Sequence, residues 1–210
     1  MSILTISPTA SVDLQLHTIY SDGAWTPSEL IPWLATHTFR VAAVTDHDTV
    51  AHLNEVQALG KQHGVHLLAA TELTTSWEGL RADVLCYAGQ AFTGDALATL
   101  ADRTTRLQLE NTHEVHRALL AQGYEFPRQA DVLAHQSGAL RRPIDNATLL
   151  CEHGYVDSIR AGVGLMREVG YASIAAPIEE AIAAAHASGA LTLVAHPGRN
   201  GGEISQFDPD

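Results

Sequence analysis

The chain has 210 residues, of which 46% are hydrophobic and 17% charged, enough for one domain with a sizeable core and too apolar for a disordered segment. Twelve basic residues stand against 24 acidic ones, a net charge of −12 with no basic block, which excludes a strong nucleic-acid surface working through backbone charge alone; a phosphorylated substrate stays compatible, because bound divalent cations reverse the local charge of a pocket. No apolar run reaches the length of a membrane span, the N-terminus lacks a basic-then-apolar leader, and Cys86 and Cys151 form no Cys-x-x-Cys pair, so the expectation is a cytoplasmic chain with reduced thiols and no membrane partner.

Val12 to Leu16 predicts a short strand ending at His17, with Ser21-Asp22-Gly23 close behind. Thr26-Pro27-Ser28-Glu29 has the pattern of a capping box with proline at the first helical position, opening a helix to about Thr38. Arg40 to Thr45 is almost wholly apolar, as a strand buried on both faces should be, and leads into Asp46-His47-Asp48. A helix from Ala51 to His63 follows, with Asp48 or Thr49 as its cap. Val65 to Ala70 predicts a third strand, leading to Thr71-Glu72. Strand, helix, strand, helix, strand implies parallel pairing with right-handed crossovers.

Ala82 to Tyr87 predicts another strand, after which the pattern changes. Asp95 to Gln122 reads as one long helix, and shorter helices are expected at 130–136, 145–153 and 163–169. These residues carry no strand signal and read as a helical insertion. A helix over 177–188, a turn at Gly189 and a strand over 191–195 bring the chain to His196-Pro197-Gly198-Arg199.

His, Asp or Glu therefore stands within a few residues of four strand ends. Loops at the carboxyl ends of parallel barrel strands converge on one face, which would gather these side chains in one bowl. Nine of the twelve histidines (37, 52, 63, 66, 113, 116, 135, 153 and 186) lie in helical stretches or at a strand start and read as structural or solvated. His17, His47 and His196 differ in kind. Side chains alternate along a strand, so Gln15 and His17 share a face. His17 reads as a metal ligand or a structural histidine, and Asp22 as a ligand, an outer acceptor or part of a turn. Asp46 or Asp48 could orient the His47 ring through its second nitrogen. Glu72 could bridge two cations or be a solvated rim residue. Arg199 can grip a phosphate, and Arg141-Arg142 reads either as a second grip or as a surface pair. Neither Gly-x-Ser-x-Gly nor Gly-x-x-x-x-Gly-Lys occurs, so metal-activated water is the simplest nucleophile.

Asp13 to Gly23, Thr45 to Asp48, Thr71-Glu72 and His196 to Arg199 resemble, in order and over nearly the whole chain, the PHP family (polymerase and histidinol phosphatase domain). Residues 131–134, Arg142-Pro143 and 152–156 resemble its subgroup of nucleoside 3',5'-bisphosphate phosphatases and 5'-to-3' exoribonucleases. The resemblance implies an α/β fold, a distorted (β/α)7 TIM-like barrel, with 1–210 a single PHP domain and 95–172 a helical insertion within it. It implies two or three divalent ions (manganese, iron, zinc or magnesium) and hydrolysis of phosphate monoesters on a small phosphorylated metabolite or nucleotide. His17, Asp22, His47, Glu72 and His196 would bind the metals, with Gln15 and Asp83 as auxiliaries. His47 and Asp22 would be catalytic, and Arg199 and Arg142 would hold the phosphate.

The chain departs from the family at several points. Gln15 stands where the family has the first histidine of His-x-His, Asp83 replaces a histidine, and Ile144 replaces that of Arg-Pro-His. A late Asp-x-His pair is expected beyond Asp210, and the C-terminal strands of the barrel are expected to be missing with it. Two other functions fit this reading. One is a degenerate domain with partial metal binding and a structural or sensing role. The other is a 5'-to-3' exoribonuclease acting on short RNA.

Overall fold

Three strands, β1 (Ser11–Leu16), β2 (Phe39–Val44) and β3 (His66–Leu73), pair in parallel. Helices α1 (Pro27–Thr36) and α2 (Leu53–His63) connect them, as the apolar pattern predicts. The computed structural model describes residues 7–197; the expected phosphate ligand Arg199 lies outside them. Contacts divide the chain into two units, described here as residues 7–102 with 175–197, and Arg103–Ile174.

In the first unit, Thr26 caps α1 through the expected box: its hydroxyl accepts from Glu29 N–H, and Glu29 accepts from Thr26 N–H at 2.8 Å. Leu30, Ile31 and Leu34 of α1 pack with Val56 of α2 against Ala42, Val44 and Leu67. Full burial of Ile31 and Leu34 contributes roughly 1.5–3 kcal/mol each. Gly60 lets α2 lie close to the next strand, since a Cβ there would stand 2.8 Å from the Val65 carbonyl oxygen. Neither Asp48 nor Thr49 caps α2. The helix starts later, at Leu53 after His52, and Asp48 instead accepts a hydrogen bond from Thr74 N–H at 2.9 Å.

β4 (Thr75–Trp77) and β5 (Leu80–Arg81) form a hairpin through Glu78 and Gly79, both at positive φ as a two-residue type I′ turn requires. β6 (Val84–Ala88) then returns antiparallel to β3. That reversal departs from an all-parallel rim and has a simple cause. Only residues 74–83 separate β3 from β6, too few for the crossover that a parallel connection needs.

Further along, β7 (Ala176–Pro177) joins β4, α7 (Ile178–Ala187) covers the inner core, and β8 (Leu191–Val194) pairs antiparallel with β6. The main sheet runs β1-β2-β3-β6-β8, a curled half-barrel with β1 and β8 at its ends among the described residues. Cys86 is buried on β6, and burial pushes its thiol up to about 12; like Cys151 it is free.

α3 (Ala96–Ala121) carries the chain into the second unit. There α4 (Gln129–Val132), α5 (Pro143–Glu152) and α6 (Ile159–Glu168) follow. The helix expected over 130–136 is broken at Leu133 into α4 and a 3-10 turn at Ala134–Gln136. Val115, Leu119, Ala147, Leu150 and Met166 form this unit's core. Ile144 packs against that core, as an apolar residue in that place should.

Candidate metal centre

One edge of the half-barrel collects the polar side chains, and the strand directions explain how. β1 and β2 end just before His17 and Asp46-His47-Asp48, while Glu72 is the penultimate residue of β3 rather than the first residue after it. β6 runs against β3 in the register Leu73↔Val84, so Asp83, which precedes β6, reaches the edge at which β3 ends. β8 runs against β6, so His196 emerges at the same edge, its lead-in Ala195 N–H bonded to Asp83 O at 2.8 Å. Two reversals cancel, and the residue after β8 joins those after the parallel strands.

Glu72 is the centre of the arrangement and is 0% exposed. Its Oε2 lies 3.2 Å from His17 Nε2 and accepts a hydrogen bond from Gln15 Nε2 at 2.9 Å, while its Oε1 lies 3.1 Å from His196 Nε2. The His17 and His47 rings stack at 4.9 Å. Asp22, largely exposed, lies 3.2 Å from His17 Nδ1 and 3.8 Å from His47 Nε2. Two triads share the buried carboxylate: His17, His47 and Glu72, and Glu72, Asp83 and His196. In each, the ligand atoms lie within 4.8 Å of one another.

Burial opposes charge on Glu72, yet the hydrogen bond from His17, the pull of His47 and the Gln15 amide outweigh it and hold the carboxyl down at about 2. On His17, burial works to lower the pKa, but its bond to Glu72 and the charges of Asp22, Glu72 and Asp46 raise it above the usual 6.5. The donor set, imidazole with carboxylate, fits divalent cations. Among the described residues the buried Nδ1 atoms of His47 and His196 have no hydrogen-bond partner, as a nitrogen kept for a ligand would. Backbone strain marks the same edge: Asp48 (φ 50°) and His196 (φ 30°) are non-glycine residues at positive φ.

Neither carboxylate beside His47 orients its ring. Asp46 points the other way and holds the loop after β1. Its Oδ1 accepts from Thr18 N–H and Ser21 Oγ, and its Oδ2 from Thr18 Oγ1, each at 2.7 Å. Thr18 and Ser21, the hydroxyl residues that follow His17, are the sequence signal for that clamp. Gly23 closes the same loop. A Cβ there would lie 2.2 Å from the His17 carbonyl oxygen and 2.6 Å from Thr18 N, backbone atoms that cannot step aside. Gly23→Ala is therefore expected to destabilise by roughly 1–3 kcal/mol, as overpacking does, and to weaken metal binding by shifting Asp22. Thermal melts and metal titration of the variant check both.

Asp83 is buried, and both its oxygens accept from Arg81 Nε at 2.9 Å. Arg142 lies in the second unit at the start of α5, with Nη2 3.4 Å from Asp145 Oδ1. Asp145 Oδ2 accepts the backbone N–H groups of Arg141 and Arg142, which fixes this helix start.

No family model matches the chain. Curated relatives do. A 5'-3' exoribonuclease of Haemophilus influenzae is 29% identical over 198 residues, covering 90% of this chain and 69% of the relative. A 3',5'-nucleoside bisphosphate phosphatase of Chromobacterium violaceum is 29% identical over 205 residues, covering 90% and 68%. Both names, and the likeness over nine-tenths of this chain, are consistent with the PHP family that its motifs resemble. Among solved structures, an amidohydrolase from Chromobacterium violaceum with bound sulfate superposes with a TM-score of 0.76 at 24% identity, covering 94% of this chain and 71% of that one. A putative metal-dependent phosphoesterase from Bifidobacterium adolescentis gives 0.74 at 24%, covering 96% and 73%. Both have a TIM-barrel-like fold, to which the half-barrel and its helices correspond. No helix among the described residues is long and apolar enough to cross a membrane.

Proposed function

We propose that this chain is a metal-dependent phosphoesterase that hydrolyses phosphate monoesters on small phosphorylated substrates. The observation that carries the reading is one buried carboxylate shared by two histidine-containing triads. His17 and His47 would hold one ion with Oε2 of Glu72, and Asp83 and His196 a second with Oε1. Asp22 stands at the exposed side, where it can complete the first position. Divalent ions there, of manganese, iron, zinc or magnesium, make water a nucleophile at neutral pH and stabilise charge on a phosphoryl group. Burial of Glu72 keeps the bridging carboxylate dry, and Asp46 holds His17 and Asp22 in place through their loop. Arg199 is the proposed phosphate ligand, guanidinium being suited to a paired grip on phosphate oxygens.

The domain reading belongs to the same proposal: 1–210 as one PHP domain, with 95–172 inserted. So does a cytoplasmic setting, supported by two free cysteines. Relatives named for both nucleoside bisphosphates and RNA favour phosphorylated nucleotides as the substrate class. The net charge of −12 favours the mononucleotide over long RNA.

Purified protein should release inorganic phosphate from a nucleoside 3',5'-bisphosphate when supplied with one of these metals, and chelation should stop it. His47→Ala should lose that release by on the order of 10³-fold, several kcal/mol of transition-state stabilisation being at stake. Absence of release with every metal would overturn the reading, and so would an unimpaired His47→Ala. A 5'-phosphorylated oligonucleotide cleaved faster than the bisphosphate would move the assignment to the exoribonuclease.

A further inference from the structure

Among the described residues Gln15 is the one amide side chain that hydrogen-bonds Glu72, and its geometry assigns it a specific task. Gln15, on β1, and His17, just after it, both reach the same oxygen, Oε2, at 2.9 and 3.2 Å. A carboxylate only accepts, so the amide group near Oε2 must be the NH2 and not the carbonyl. The end of Gln15 that faces the centre therefore has no lone pair for a cation.

We propose that Gln15 is a positioning residue rather than a ligand: it tethers Glu72 and divides the carboxylate, with Oε2 given to the His17 and His47 side and Oε1 to the Asp83 and His196 side. A carboxylate oxygen has two acceptor directions, so Oε2 can keep the amide bond while serving the first triad. Without the tether, Glu72 is free to turn about its last torsion, which is broad and nearly two-fold. It could then turn more of its charge to one triad, which weakens the hold on both ions without removing a ligand from either position. Gln15 thus keeps two positions distinct in a centre to which the end of β1 supplies a single histidine, His17.

This rests on the metal reading above, and the experiment separates the two. Metal equivalents and affinity are measured by elemental analysis and titration on the full chain loaded with cobalt(II), in the wild type, Gln15→Ala and Gln15→Met. Both variants should keep the wild-type number of ions and bind them about 10–100-fold more weakly, the usual effect of removing a partner that orients a ligand. The visible cobalt spectrum should shift, which a change in packing alone would not produce, and Gln15→Met preserves the side-chain volume. Fewer ions in either variant would make Gln15 a ligand, and unchanged affinity and spectrum would deny it any role; either result overturns the proposal. If the wild type takes up no cation, the functional reading fails by itself. The tether is then tested on the metal-free chain by NMR. The Gln15 side-chain amide, identified by its loss in Gln15→Ala, should exchange slowly in the wild type and quickly in Glu72→Ala. Rapid exchange in the wild type would refute it.

Discussion

Glu72→Gln is expected to abolish metal-dependent phosphate release, a fall on the order of 10³-fold or more, and to reduce bound metal at both triads together. The substitution keeps the volume and one acceptor oxygen but removes the charge that both triads share. Substituting any one histidine should damage one position more than the other; only Glu72 belongs to both. Elemental analysis of the purified variant, set beside its phosphate release, checks this. A variant that retained the full metal content would show that Glu72 is not the bridge.

The same residue makes the metal-free protein sensitive to acid, and the sign follows from its pKa. Folding holds Glu72 at about 2 against an ordinary 4.5, so its contribution to stability is complete above 4.5 and is lost as the pH falls through 2. His17 shifts the other way, upward, so its contribution is complete below 6.5 and fades as the pH rises through its folded value. The pair therefore stabilises the metal-free fold best between 4.5 and 6.5. Denaturant melts of wild type and Glu72→Gln should differ most in that window and converge toward pH 2. A difference that grew as the pH fell would contradict the assignment.

The residues of the candidate centre are legible in the sequence because each stands at a strand end, and strand ends of this class share a face. His17, His47, Glu72 and His196 follow from that rule alone, and they meet around one carboxylate. The capping box at Thr26 and the three parallel strands were readable for local reasons: four residues of pattern, and runs of apolar residues. What escaped depended on contacts between distant segments. Asp46 has the company of a ligand in sequence, and only the return of the Thr18–Ser21 loop shows that its oxygens are occupied. The small β4-β5-β7 sheet is built from strands of two or three residues, too short to show any periodicity. Asp83 reaches the centre by the reversal of β6, which a ten-residue connection imposes but no motif announces.

Asp46→Ala should be the most destabilising single change at this edge of the sheet. The carboxylate is nearly buried and takes three short hydrogen bonds, from Thr18 N–H, Thr18 Oγ1 and Ser21 Oγ. Hydrogen bonds to charged groups contribute about 1.5–3 kcal/mol each, and a buried donor left without a partner adds its own desolvation cost, so a loss of roughly 3 kcal/mol or more is expected. For a chain of this size that lowers the melting temperature by roughly 6–12 °C. Asp46→Asn keeps a carbonyl oxygen for the two donors on Oδ1, and the Thr18 hydroxyl can rotate to accept from the new amide, so it should cost much less. If Asp46 were instead a metal ligand, its loss would be felt only in the loaded protein. The clamp acts in the empty fold, since each donor belongs to the loop itself. Calorimetry of the metal-free proteins therefore decides between the two roles: a large drop for Asp46→Ala without metal marks the clamp, and equal melting of wild type and variant would rule it out.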